Sequence, residues 1–286
     1  MQPAPVKIVT DSTSDLSQEL LDQYQIEMIP LYTVLEDSSY RDRIDINSQE
    51  LLNWCTTHKT TPKTSAASVG DFMEVFAKYV NEGVDVIYIG ISSELSSTNQ
   101  NARLAAQEFE EGKVSVIDSR NLSTGIGYLV LEAAKMAGEG IAAKEICQTI
   151  ETMVPKMNVS FVIDTLTFLY RGGRCSALQY LGANMLSLKP EIIVRDGKMT
   201  TRKKYRGNIS KAVGKYVGDH LAEGNAMDPR RIIVTYSSMD DMAVVDKVVE
   251  QVKAVGYFKE VLTCTAGCVI TSHCGGNTLG VIYMDA

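Results

Sequence analysis

Short apolar runs alternate with segments of helical spacing through the first half of the chain. Apolar runs predict strands at 6–10, 26–34, 84–91 and 114–117, the second of them broken by Pro30. Apolar residues at helical spacing predict helices at 16–24, 48–55, 70–82, 97–110, 125–138 and 142–153, with Ser48 as the N-cap of the second. Strands that alternate with helices are typical of a parallel sheet covered by helices on both faces.

The pattern changes after Pro155, where hairpins mix with crossover helices. Strands are predicted at 159–163, 231–236, 260–265, 267–270 and 279–284, and helices at 176–186, 209–224 and 239–255. Asp196-Gly197 is a strong turn signal and predicts a hairpin of strands 189–194 and 198–204. We therefore expect an α/β fold of two domains: a parallel sheet in 1–157 and a mixed sheet in 158–286.

Hydroxyl-rich turns follow several of the predicted strands or precede predicted helices. These clusters lie at 11–15, 60–68, 92–98 and 118–125. In open α/β sheets, ligands bind outside the carboxyl ends of the strands, so such turns would form a donor-rich, nearly uncharged rim suited to a carboxylate or a phosphate. Helix capping is the alternative for each turn, since Ser, Thr and Asp are favoured N-cap residues.

Composition excludes some classes of partner. The 286-residue chain has a net charge of −7, which argues against nucleic acid as the main partner. The local basic run 202–206 is a solvated face or a docking surface for an acidic partner. No signal peptide or long apolar span is visible, so we expect a cytoplasmic protein with reduced thiols.

Few residues offer catalytic or metal chemistry. The sequence has no Walker A motif, no GxGxxG after a strand, no GxSxG and no HExxH. Cys264, Cys268, His273 and Cys274 match no common zinc spacing, and we expect no metal site. His273 lies in a predicted glycine-containing loop and is either functional or simply a loop histidine.

Arg171-Gly172-Gly173-Arg174 is a second candidate for ligand chemistry. Its two arginines either bind an anion through forked hydrogen bonds or are solvated residues of a tight loop.

A series of motifs, taken together, resembles the DegV family of fatty-acid-binding proteins. They are VTDSTSDL at 9–16, PKTSAAS at 62–68, ISSELSSTNQNA at 91–102, VIDSRNLSTGIG at 116–127, TLTFLYRGGRCS at 165–176, LKPEIIVRDGKM at 188–199 and SHCGGNTLG at 272–280. The resemblance covers nearly the whole chain. It implies an N-terminal α/β/α domain with a parallel sheet and a C-terminal α/β domain with a mixed sheet.

The resemblance also implies a ligand and a set of site residues. The fatty acid carboxylate would be held by Thr64 and Ser96, with Ser65, Ser97 and His273 beside them. The sequence departs from the family pattern at TSAAS for TSQPS, LSST for LSGT and HCGGN for HTGPG, but Thr64, Ser96 and His273 are retained. The acyl tail would occupy an apolar tunnel, for which segments 161–169 and 178–194 are candidate linings.

The partner implied by the resemblance is a separate fatty acid kinase with a dihydroxyacetone-kinase-like domain, which makes an acyl phosphate from ATP. Arg171, Arg174 and Arg206 are our candidates for residues that face this kinase or the phosphoryl group. We expect no catalytic residue and no cofactor in this chain, and we leave transient membrane contact open. The alternatives are a serine-dependent acyl hydrolase using Ser96 and His273, and a dimerisation or regulatory module with an incidental pocket.

Overall fold

The fold was obtained as a computed structural model, which describes residues 4–175, 188–222 and 226–286. Its N-terminal half contains a four-stranded parallel sheet with the strand order β2-β1-β6-β7. These strands are β1 (Val6–Asp11), β2 (Glu27–Ile29), β6 (Asp85–Gly90) and β7 (Val114–Asp118). The helices of this half that flank the sheet are α1 (Gln18–Gln23), α3 (Val69–Val80), α4 (Thr98–Ala106), α5 (Thr124–Gly138) and α6 (Ala143–Met153).

A small antiparallel sheet, with the order β4-β3-β5, lies beside this layer. Its strands are β3 (Tyr32–Leu35), β4 (Ser38–Arg41) and β5 (Lys63–Ser65), and helix α2 (Ser48–His58) joins β4 to β5. The predicted strand 26–34, broken at Pro30, is divided between two sheets, because the chain leaves the parallel sheet after Ile29 and Tyr32 begins a strand of the small sheet. Pro30 stands at this break, where its missing N–H removes a ladder hydrogen bond.

The C-terminal half contains a six-stranded mixed sheet with the order β10-β9-β8-β13-β11-β12. Its strands are β8 (Met157–Val162), β9 (Leu188–Arg195), β10 (Lys198–Arg206), β11 (Met227–Tyr236), β12 (Glu260–Thr265) and β13 (Leu279–Asp285). Its helices are α7 (Thr167–Gly172), α8 (Ile209–Leu221), α9 (Ala243–Ala254) and α10 (Cys268–Cys274). Only β11 and β12 pair in parallel among the paired strands of this sheet that the structure describes.

The predicted α/β class, with one parallel and one mixed sheet, is therefore confirmed. The hairpin of β9 and β10 is also confirmed, and Asp196 and Gly197 both have the positive φ angles, 50° and 79°, that a tight hairpin turn requires. The predicted boundary at 157 coincides with the start of β8 and stays a prediction. The predicted helix 176–186 lies outside the described residues.

Two local predictions are wrong. The strand predicted at 267–270 is instead part of a helix, since residues 268–274 form α10, so His273 lies in the last turn of a helix instead of a loop. All but one of the α10 residues are buried, and a short apolar run buried on every side does not distinguish a strand from a helix. Ser48 is not the cap of α2; Asn47 accepts hydrogen bonds from Gln49 and Glu50 instead.

Helix α5 lies between the two large sheets. Its first eleven residues, Thr124 to Ala134, are all buried, and the helix packs against both β1 and β13. One apolar core consequently runs through both halves of the chain. Among the residues that the structure describes, no helix is long and apolar enough to span a membrane.

Candidate ligand-binding site

A cavity of about 460 Å³ lies where the small sheet, the turn after β6 and helix α10 meet. This volume falls in the range of roughly 300–1,000 Å³ that is usual for small-molecule sites. Thr64, Ser65, Ser96, Ser97 and His273, the five residues predicted for the carboxylate, all contribute to its wall. The structure thus brings together segments more than 200 positions apart in sequence, although their role in binding stays a prediction.

Thr64 and His273 form a contact across the cavity wall. Thr64 lies in β5, opposite Thr33 of β3, and its Oγ1 is 3.1 Å from Nε2 of His273. Burial lowers the pKa of His273 to about 4, and the nearby Arg174 guanidinium acts in the same direction. The imidazole is therefore neutral near pH 7, and it acts as a hydrogen-bonding group without a countercharge.

Ser96 lies just before α4. Its Oγ is 2.8 Å from Oγ1 of Thr98 and accepts a hydrogen bond from the Thr98 N–H at 3.3 Å. The alternative that this turn caps a helix is thus correct for Ser96, whose hydroxyl accepts from the first N–H of α4. Ser97, the N-cap of α4, makes no capping hydrogen bond with its side chain. The start of α4 and the hydroxyls around it supply donors and a partial positive charge to this side of the cavity.

Part of the cavity wall is apolar. Leu31, Ile91, Leu95, Leu122, Val269 and Ile270 line it, and all six are buried. A smaller cavity of about 30 Å³ lies beside it and shares Leu122, Ile270 and Cys274 as walls.

Hydroxyls beside the smaller cavity are already bonded. Ser123 donates to Asp15, and Ser160 Oγ is 2.7 Å from the Tyr216 hydroxyl. The smaller cavity consequently presents an apolar surface to its interior.

The predicted tunnel lining is only partly located in these walls. Phe161 lines the smaller cavity, residues 178–187 lie outside the described part of the chain, and 188–194 line neither cavity as described. Sequence reasoning missed Leu95 and Ile270. The position of Leu95 directly before Ser96 is a signal that could have identified it as a cavity residue. Ile270 gave no such signal, because it lies in the run predicted as strand 267–270.

The three predicted arginines do not meet at one place. Arg174 lines the cavity, and its Nη1 donates to the carbonyl of Gly172 at 2.8 Å. Arg171 is exposed in α7 and does not contribute to the described cavity wall. Arg206 is exposed in a separate groove of about 320 Å³ that it shares with Lys203, Lys204 and Lys215.

Comparison with known proteins identifies the family. The family described as "Uncharacterised protein, DegV family" matches residues 5–286. The chain belongs to the DegV family. A DegV domain-containing protein of Clostridium acetobutylicum is 32% identical over 98% of this chain and 98% of its own length.

Solved structures of DegV proteins are similar along the whole chain. One, described as showing fatty acid binding of a DegV family protein from Thermus thermophilus, has a TM-score of 0.88 and 33% identity over 99% of this chain and 100% of its own. Another, of DegV from Bacillus subtilis, described as a fatty acid binding protein, has a TM-score of 0.87 and 26% identity over the same shares. These two relatives are thus described as fatty acid binding proteins.

In the part of the DegV chain that the structure describes, Ser96 and His273 have separate hydrogen-bond partners. His273 is hydrogen-bonded to Thr64, while Ser96 is bonded to Thr98, so the two members of the suggested hydrolase pair have other partners. In residues 4–175, 188–222 and 226–286, no three His, Cys, Asp or Glu side chains are grouped as metal ligands. Burial raises the pKa of the Cys274 thiol to about 12, which keeps it protonated.

Proposed function

We propose that this DegV protein binds a long-chain fatty acid, with its carboxylate between Thr64 and Ser96 and its tail in the apolar interior. The observation that carries the proposal is one cavity whose wall combines hydroxyl side chains with buried aliphatic side chains. The fatty acid binding described for the relatives from Thermus thermophilus and Bacillus subtilis supports it.

The hydroxyl and aliphatic side chains of the cavity wall contribute to the binding free energy in different ways. A carboxylate that leaves water needs hydrogen-bond donors, and the Thr64 and Ser96 hydroxyls meet this need, with Ser65, Ser97 and His273 nearby. Burial of the tail contributes about 0.8 kcal/mol per methylene, or on the order of 10 kcal/mol for a long chain before the costs of association. The tail thus provides the affinity and the hydroxyls fix the orientation.

We further propose that the protein is a cytoplasmic carrier without an enzymatic activity of its own. It presents the carboxylate to a separate kinase with a dihydroxyacetone-kinase-like domain, which forms the acyl phosphate. Arg174 at the cavity is the strongest candidate for contact with the kinase or the phosphoryl group, and exposed Arg171 lies three positions before it. Arg206, in its separate basic groove, would contact an acidic surface of the kinase away from the carboxylate.

Native mass spectrometry and calorimetry together test the binding proposal. The purified protein should carry a fatty acid, and after lipid removal it should bind a long-chain fatty acid again. Ser96→Ala should weaken binding by about 1–3 kcal/mol, because a charged acceptor loses a donor. Ser39→Ala is the matched control, since Ser39 is exposed in β4 and does not line the cavity.

Two results would contradict the proposal. One is a lipid-free protein that binds no fatty acid, and the other is Ser96→Ala with the affinity of the wild type. Hydrolysis of acyl esters by the isolated protein would instead support the hydrolase alternative.

A further inference from the structure

Helices α7 and α10 approach each other through two glycines. Gly172, the last residue of α7, lies against the ring of His273, and a β-carbon on Gly172 would stand only 2.3 Å from Nδ1. Gly275, just after α10, lies against Phe168 of α7, where a β-carbon would stand 2.7 Å from the ring. The backbone of α7 therefore contacts the imidazole directly, without an intervening side chain.

The two ring nitrogens of His273 have different surroundings. Nε2 is 3.1 Å from Oγ1 of Thr64. Nδ1 is buried and has no hydrogen-bond partner among the described residues. A buried N–H without an acceptor is rarer in proteins than a buried acceptor without a donor. Nδ1 is therefore the unprotonated nitrogen, and the Gly172 Cα–H offers it a weak contact.

Arg174 helps to keep the ring of His273 neutral. Its guanidinium donates to the carbonyl of Gly172, and its charge disfavours a second proton on His273. A positive charge next to the ring disfavours the doubly protonated imidazolium but not the neutral imidazole. With Nδ1 unprotonated, the single proton of the neutral ring is on Nε2, where it can be donated to Thr64.

We propose that Gly172 is a positioning residue, which holds His273 as the Nε2–H tautomer and thereby makes Thr64 a hydrogen-bond donor to the ligand. A threonine hydroxyl has one proton. When Nε2–H donates to Oγ1 of Thr64, that proton is free for a carboxylate. In the opposite tautomer, Thr64 would donate to Nε2 and present only lone pairs to the anion. This last step rests on the proposed fatty acid site, whereas the tautomer does not.

Nitrogen NMR of the imidazole rings tests the tautomer in the lipid-free wild-type protein. The chain has only three histidines, and His273→Gln identifies the signals of His273 by their loss. We expect a protonated Nε2 and an unprotonated Nδ1, unchanged from about pH 8 to about pH 5.5. A proton on Nδ1, or a doubly protonated ring in this interval, would overturn the proposal.

The variant Gly172→Ala tests whether Gly172 sets the tautomer of His273. Gly138→Ala is the matched control, because Gly138 is also the last residue of a helix and a β-carbon there would meet no neighbouring atom within 4 Å. Gly172→Ala should abolish the Nε2–H signature and weaken fatty acid binding about tenfold, the equivalent of one hydrogen bond, while Gly138→Ala changes neither.

The outcomes separate this inference from the proposed function. Weakened binding with an unchanged tautomer in Gly172→Ala would indicate a merely structural role and would overturn the inference, as would no change in either property. If Gly172→Ala does not fold, the tautomer of His273 in the wild-type spectrum decides whether the proposal stands. A wild type that binds no fatty acid would refute the proposed function, and the spectrum would still decide the tautomer.

Discussion

Asp15 is predicted to make the stability of the protein depend on pH. This carboxylate is fully buried, and its Oδ1 accepts a hydrogen bond of 2.7 Å from the N–H of Gly267, just before α10. Ser123 donates to its other oxygen, and a guanidinium nitrogen of Arg43 is 3.6 Å away. Asp15 thus joins the N-terminal half to the helix that carries His273.

The size of the pH effect on stability follows from the pKa of Asp15. Burial raises the pKa of Asp15 from 3.8 to about 7, although Arg43 and the two hydrogen bonds act in the opposite direction. A shift of roughly 3 units corresponds to about 4 kcal/mol. Because the folded state binds this proton more tightly than the unfolded state, the contribution is fully present below about pH 4 and is lost as the pH rises through about 7.

Asp15→Asn removes the titration and keeps an oxygen that can accept from Gly267. The stability of the wild type relative to this variant should therefore fall by up to about 4 kcal/mol between about pH 4 and about pH 8. Asp15→Ala should cost about 2–4 kcal/mol, because it leaves the Gly267 N–H and the Ser123 hydroxyl without their acceptor. Loss of this link would also loosen α10 and the position of His273.

Urea unfolding across this pH range, followed by the fluorescence of Trp54, is the appropriate assay, since Trp54 is the only tryptophan. Asp37→Asn, at an exposed turn between β3 and β4, controls for a general effect of one fewer carboxylate. A difference between the wild type and Asp15→Asn that is constant, or that grows in favour of the wild type as the pH rises, would refute the reasoning.

Three further predictions concern other parts of the molecule. Gly280→Ala should lower the free energy of unfolding by about 1–3 kcal/mol, since its β-carbon would stand 2.4 Å from a carbonyl of the neighbouring strand; thermal denaturation checks this, and a melting temperature equal to that of the wild type would contradict it. Fatty acid affinity should change less than about twofold between about pH 5.5 and about pH 8, because His273 is neutral there; calorimetry that finds a large loss as the pH rises would indicate a protonated imidazole. Burial raises the pKa of Cys264 and Cys274 to about 12. A thiol reagent should therefore modify partly exposed Cys147 before these two, and labelling in the reverse order by mass spectrometry would be evidence against this.

Patterns with a single local cause were predicted from the sequence. The parallel strands and their helices follow from alternating apolar runs, and the hairpin at Asp196-Gly197 follows from the positive φ angles of its turn. The motifs also identified Thr64, Ser96 and His273, which the structure brings to one cavity.

Features that depend on distant partners were not predicted. Helix α10 begins at two N–H groups bonded to Asp15 and Asp42, which are more than 220 positions away. Thr64 lies in a strand because β3 pairs with it, whereas its own three-residue segment carries no strand pattern. The apolar wall at Ile270 likewise resembles ordinary core in the sequence, because its neighbours come from another part of the chain.

A crystal structure with a bound long-chain fatty acid tests the central claim most directly. We predict carboxylate oxygens within about 3.2 Å of both Thr64 Oγ1 and Ser96 Oγ, with the tail running past Leu122 and Ile270 toward the smaller cavity. A carboxylate bound elsewhere, for example in the basic groove at Arg206, or a tail that lies outside the apolar interior, would contradict the account.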